Sequence, residues 1–242
     1  MRAHDTLIHT GTIGLSGFSV ILAAWVGLAA LPAQAQVPCP LQPQRLFWID
    51  TGGLQDQVTQ ALEAVPSRLR TELYNTGVRV VLVPTFLAYQ PQWSNQIPRG
   101  WRKELDYRYI DALYMPDRKE VVVAARSLDV RSGQPHLARR TLAVTLHELG
   151  HAFDRANKVL SSGPAFLAAY RSDCAPLKAD QQKRYHYMLQ GNQAGQKELF
   201  AELFMMHFRT RAHATPQFPQ LATDFPRCYA ELDRVLAAYE EP

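Results

Sequence analysis

The chain is poor in the features that would place it in several large protein classes. It has three cysteines, Cys39, Cys174 and Cys228. None has zinc-finger spacing, so no cysteine-built structural metal site is expected. There is no internal repeat and no long low-complexity linker, which argues against solenoids and repeat arrays. After residue 35 no segment is apolar enough to span a bilayer. An excess of one charge is also lacking. The formal net charge is +4 and the pI about 9.0. The basic residues are scattered, with small clusters at 99–103 and Arg139–Arg140 and no basic stripe interleaved with aromatics. Nucleic acid is therefore not an expected partner.

The N-terminus reads as an export signal. Arg2 opens a short polar stretch, Phe18 to Leu31 is an apolar run, and Ala33-Gln34-Ala35 is a small-residue cleavage pattern. The run is short of the roughly 20 residues needed to cross a membrane. Residues 1–35 are expected to be a signal peptide cleaved after Ala35, the alternative being an uncleaved anchor. The roughly 200 residues of 36–242 should form a single domain, secreted or periplasmic, with no stable membrane insertion. A lipoprotein is not expected, because Cys39 follows Val37-Pro38 rather than small residues. In an oxidising compartment one disulfide is expected. Cys174–Cys228 is the first choice because the two flank one helical segment, though all three pairings stay open.

His147-Glu148-Leu149-Gly150-His151 carries the most chemistry. On an α-helix residues i and i+4 share a face, so His147 and His151 can offer two imidazole nitrogens to one zinc ion. Glu148, one residue on, is placed to act as a general base towards a water at that site. From Arg139 to Arg155 there is no proline, and Leu142, Leu146, Leu149 and Phe153 follow helical spacing. Gly150 costs a helix about 1 kcal/mol relative to Ala, which suggests that another backbone approaches there. The alternative is a core helix whose two histidines are joined by local hydrogen bonds.

A catalytic zinc site needs a third protein ligand. The best downstream source is the helical stretch Lys197 to Phe204, in which Glu198 and Glu202 share a face beside Leu199, Leu203 and Met206. Burying two carboxylates against so much apolar surface is costly unless a cation neutralises them. One carboxylate on zinc and the other hydrogen-bonded to a ligand histidine would meet that need. A solvated glutamate face is the plainer alternative. Asp154 and Asn157 stand where a metzincin would have glycine and histidine, so that subclass is excluded. Asp154 could orient a ligand histidine or be an exposed charge at the helix end. His136, His186, His207 and His213 are not needed to complete a site.

HELGHAFD followed by ELFAELF resembles the anthrax toxin lethal factor-like zincins, zinc metallopeptidases in which a later ExFAE-type helix completes the HExxH site. The resemblance covers mainly residues 105–210. It implies one Zn2+ per chain on His147, His151 and Glu198, Glu148 as general base, Glu202 in support, and a protein or peptide as substrate. The family commonly carries a tyrosine seven positions before the glutamate ligand, where its hydroxyl stabilises the oxyanion. Here that position is Gly191. Tyr187, or failing that Tyr185, could take the role if the 191–195 loop folds back. A zinc-binding protein whose catalysis has decayed, or a zinc amidohydrolase acting on cell-wall amides, are the alternative readings.

The expected fold is α+β: a small mixed sheet, the HExxH helix, then a mainly helical C-terminal part. Helices are expected near 54–73, 137–157, 164–170, 178–190, 196–210 and 225–240. A buried strand is expected at Val78–Val83, and a hairpin from Tyr109–Tyr114 and Glu120–Ala125 around Met115 to Lys119. Glu120–Ala125 is either an edge strand able to receive an extended peptide or an interior strand. The sequence does not specify an oligomeric state.

Overall fold

The computed structural model describes residues 41, 43–45, 53–98, 105–137, 140–191 and 193–240. The chain divides into Met1–Val37 and Pro38–Pro242. The expected signal peptide and Cys39 lie outside the described residues. Among the described residues no helix is long and apolar enough to cross a membrane.

The element order is β1 (Pro43–Arg45), α1 (Leu54–Ala64), α2 (Ser67–Asn75), β2 (Arg79–Val83), α3 (Phe86–Tyr89), β3 (Ala112–Met115), β4 (Glu120–Ala124), β5 (Arg126–Leu128) and β6 (Pro135–Leu137). Then come α4 (Thr141–Ala156), α5 (Pro164–Cys174), α6 (Ala179–Arg184), α7 (Ala194–Ala212), α8 (Leu221–Asp224) and α9 (Pro226–Leu236). The expected α+β class holds, with a mixed four-stranded sheet in the order β1-β2-β4-β3 and a separate β5-β6 hairpin.

Three of the boundaries that differ from expectation have identifiable causes. The helix expected over 54–73 is two helices, because Pro66 forces Val65 into extended backbone at ψ 134°. The helix expected from 137 begins at Thr141, since Pro135–Leu137 pairs with Arg126–Leu128 instead. The helix expected over 178–190 stops at Arg184. Its continuation turns so that the buried Tyr185 ring packs on Phe218 and Phe225, and its hydroxyl donates to Asp224.

Of the two alternatives for Glu120–Ala125, the interior one is realised. β4 pairs in parallel with β2 and antiparallel with β3. The residues explain it: Val121-Val122-Val123 offers no polar alternation, and a strand buried on both faces needs none. Val121 and Val123 face the main core with α1, α4 and α7, whereas Val122 and Ala124 face a smaller cluster with Phe86 and Ile110. β3 is the edge strand beside β4.

The junction that builds the site is α4 against α7. A Cβ on Gly150 would lie 2.8 Å from the Ala201 Cα and 3.0 Å from the Phe204 Cβ. The glycine is the point of close approach expected from the sequence. Around it Leu146, Leu149, Phe153, Leu199, Phe200, Leu203 and Phe204 are buried. At roughly 1.5–3 kcal/mol per buried side chain of this size, this interface is a strong constraint on how the two helices sit.

Candidate metal centre

α4 presents His147 and His151 one above the other, with ring centroids 4.8 Å apart and planes at 83°. α7 brings Glu198 opposite them. One ligand atom from each of His147, His151 and Glu198 falls within a cluster no wider than 4.8 Å. The Glu198 Oε2 is 3.3 Å from the His147 Nε2 and 3.4 Å from the His151 Nε2. One helical turn along, the Glu202 Oε2 sits 3.0 Å from the His147 Nδ1. The same imidazole thus turns one nitrogen to Glu198 and the other to Glu202.

Glu148 points elsewhere. It is buried, 8% exposed, and its Oε2 accepts the Tyr114 backbone N–H at 2.7 Å. The edge strand β3 therefore holds the carboxylate beside the two histidines. Burial pushes Glu148 above the usual carboxylate range, although the imidazoles of His151 and His147 pull the other way. Burial also opposes ionisation of Glu198, but His151 and His147 outweigh it and hold that carboxyl well below the usual range. For His147, burial disfavours the charged ring, while hydrogen bonds to Glu198 and Glu202 win and raise it well above the ordinary imidazole value.

This charge balance is a test of whether a divalent cation fits. Glu148, Glu198 and Glu202 are all mostly buried, and no arginine or lysine among the described residues pairs with any of them. The Glu202 Oε1 is buried with no hydrogen-bond partner. Such a cluster carries excess negative charge in a low-dielectric setting, which is costly unless a cation compensates it. Two imidazole nitrogens and a carboxylate oxygen are also the donor set zinc takes in catalytic sites. The residues fit the ion.

The remaining sequence candidates sort clearly. Asp154 serves neither expected purpose. It is buried, and its two oxygens accept the Ser161 N–H and hydroxyl at 2.7 Å each, tying α4 to the turn that follows. Tyr185 is a core residue. Tyr187, in contrast, lines a cleft of about 120 Å³ together with His151, Gln190, Ala194, Lys197 and Glu198. Past it the chain turns: the Gly195 N–H donates to the Gln190 carbonyl at 3.1 Å, and Gln193 adopts φ 62°. Cys174 and Cys228 are free thiols, so the first-choice bridge is not formed. Asp173 makes that junction instead, accepting the backbone N–H groups of Arg227 and Cys228 at the start of α9. His207 meets Asp233 and Glu240, and His136 meets Ser127, both apart from this cluster.

The sequence reading missed Lys197 and Gln190 as cleft residues. Only the position of Lys197 next to Glu198 could have signalled the first, and nothing local signals the second.

An HExxH helix lying below a mixed sheet, completed by a glutamate on a later helix, defines a zincin. The chain belongs to the family described as anthrax toxin lethal factor, N- and C-terminal domain, which matches residues 52–231. That membership points to a metallopeptidase. In fold it is similar to the Pro-Pro endopeptidase PPEP-2 from Paenibacillus alvei, at 19% identity and a TM-score of 0.55, over 80% of this chain and 96% of that one. No curated protein sequence matches it.

Proposed function

We propose that the protein is an exported zinc metallopeptidase that hydrolyses peptide bonds with His147, His151 and Glu198 as ligands of one zinc ion per chain. The convergence of those three side chains, with Glu148 held beside them, carries the reading. Zinc bound there would polarise the scissile carbonyl and lower the pKa of the attacking water towards about 7. Glu148 takes the water proton and delivers it to the departing amine. Burial, which raises its affinity for the proton, suits it to both tasks. Glu202 fixes the His147 ring through Nδ1.

Tyr187 is the group in the cleft able to stabilise the oxyanion with a hydroxyl, a contribution of about 10²–10³ in kcat where such donors have been removed. Its presence beside His151 and Glu198 supports catalysis over a decayed site, despite Gly191. An extended substrate can pair with β3. Tyr114 turns its N–H away from β4 to Glu148, and the antiparallel alternation turns the main-chain groups of Ala112 the same way. Export rests on the N-terminal apolar run and cleavage pattern.

The test combines metal analysis with cleavage profiling on a peptide library that includes Pro-Pro sequences and muropeptides, with and without a chelator. Glu148→Gln should keep zinc and lose nearly all hydrolysis. Glu198→Ala should lose metal affinity. Substantial cleavage by the first variant, or unchanged zinc affinity in the second, would falsify the assignment.

A further inference from the structure

The wall of the cleft opposite α4 has a polarity that the hydrolytic chemistry does not use. Lys197 is half-buried and lines the cleft with Gln190 and Tyr187, next to His151 and Glu198. Among the described residues its ammonium makes no hydrogen bond or ion pair. Glu198 turns to the two imidazoles, and Asp154 gives both oxygens to Ser161 while feeling the Lys197 charge without pairing with it.

The position is also one that helix electrostatics disfavour. Lys197 lies at the start of α7, whose first turn has no acidic residue, and a cation there adds to the positive end of the helix dipole. A local rule broken beside a site commonly marks a functional demand. The wall is rigidly built. A Cβ on Gly195 would lie 2.4 Å from the Met188 carbonyl oxygen and 2.6 Å from the Gln190 nitrogen. Only glycine lets the 187–190 segment close against α7, bringing Gln190 and Tyr187 to the same cleft as Lys197.

Resting on the peptidase reading, we propose that Lys197, with Gln190, forms a subsite for a substrate carboxylate adjacent to the scissile bond. The Lys197 ammonium supplies the attraction, and the Gln190 side-chain amide supplies orientation. The carboxylate comes either from an acidic side chain or from the free C-terminus of the peptide.

Binding to zinc-loaded, full-length Glu148→Gln protein tests this without turnover. Fluorescence anisotropy would compare matched peptides differing only in Glu, Gln or Lys at the residues flanking the cleavage position, each with a free or an amidated C-terminus. The carboxylate should tighten binding by at least about tenfold, the scale of a charge-assisted hydrogen bond. A preference lost on amidation assigns the carboxylate to the C-terminus, and one that follows the Glu/Gln exchange assigns it to a side chain. Lys197→Met should reduce the ratio to near one and Lys197→Glu should favour the Lys peptide, with zinc content unchanged in both. Equal binding of all carboxylate and neutral peptides by the parent, or a preference that survives in Lys197→Met, overturns the subsite. If the wild type hydrolyses no peptide while the binding preference is present and depends on Lys197, the peptidase reading fails and the subsite stands.

Discussion

Replacing Gly150 with alanine tests whether close helix packing is what assembles the site. The added Cβ would lie 2.8 Å from the Ala201 Cα, 3.0 Å from the Phe204 Cβ and 3.1 Å from the Ala201 carbonyl oxygen. Carbon contacts settle at about 3.5–4.0 Å, so α7 must move from α4 by roughly 1 Å. Two of the three contacts are backbone, and no rotamer change relieves them. Overpacking of this kind costs about 1–3 kcal/mol, and alanine returns about 1 kcal/mol of helix propensity. Because the clash is with backbone, the upper part of the range applies and the net loss is about 1–2 kcal/mol. For a domain of this size that is a fall of about 2–8 °C in Tm. The effect on metal should be larger in proportion, because α4 carries both histidines while α7 carries Glu198 and Glu202. Metal–ligand distances tolerate about 0.2 Å, so zinc affinity should drop at least about tenfold. Thermal unfolding of the metal-stripped protein and competition of zinc against a chelator measure the two effects. Gly191→Ala is the control, since a Cβ there meets nothing within 4 Å, and both quantities should be unchanged. A Gly150→Ala protein with wild-type Tm and zinc affinity would refute the packing argument.

Two further substitutions separate roles within the cluster. Tyr187→Phe should lower kcat by about 10²-fold or more with zinc content unchanged and KM little affected; steady-state kinetics on any cleaved peptide decide it, and an unchanged kcat removes Tyr187 from the chemistry. Glu202→Gln removes the charge from the 3.0 Å contact with the His147 Nδ1 and should weaken zinc binding by about 10–100-fold, read by the same chelator competition; equal affinity would show that Glu202 serves packing alone.

Both halves of the site were legible because each is written in a short stretch of chain. HExxH sets two imidazoles on one helix face with a carboxylate beside them, and two glutamates on an apolar helix announce a buried charge that needs a partner. The place of β4 was not legible: Glu120–Ala125 suited an edge strand and an interior one equally, and only its pairing with both β2 and β3 makes it interior. What local pattern could not supply was the course of residues 185–195. The helical pattern there continues past Arg184, yet the chain leaves the helix so that Tyr185 reaches Phe218, Phe225 and Asp224. These are partners distant in sequence, and no propensity encodes them.

The same long-range contacts settle the fate of Tyr187. Tyr185 is drawn into the core, the loop reverses at Gln193, and Gly195 admits the Met188 carbonyl at a distance no side chain would allow. Tyr187 is then left facing the cleft beside His151 and Glu198. Gly195 is the glycine this reversal requires, whereas a Cβ on Gly191 would meet nothing within 4 Å. Gly150 acts in the same way at the helix crossing, bringing Glu198 to the histidines. In each case a functional group is placed by a glycine whose meaning lies in the backbone facing it. Loss of the tyrosine from its usual position in the family is therefore compatible with a hydroxyl in the cleft, provided that the 185–195 reversal and its glycine contacts are kept.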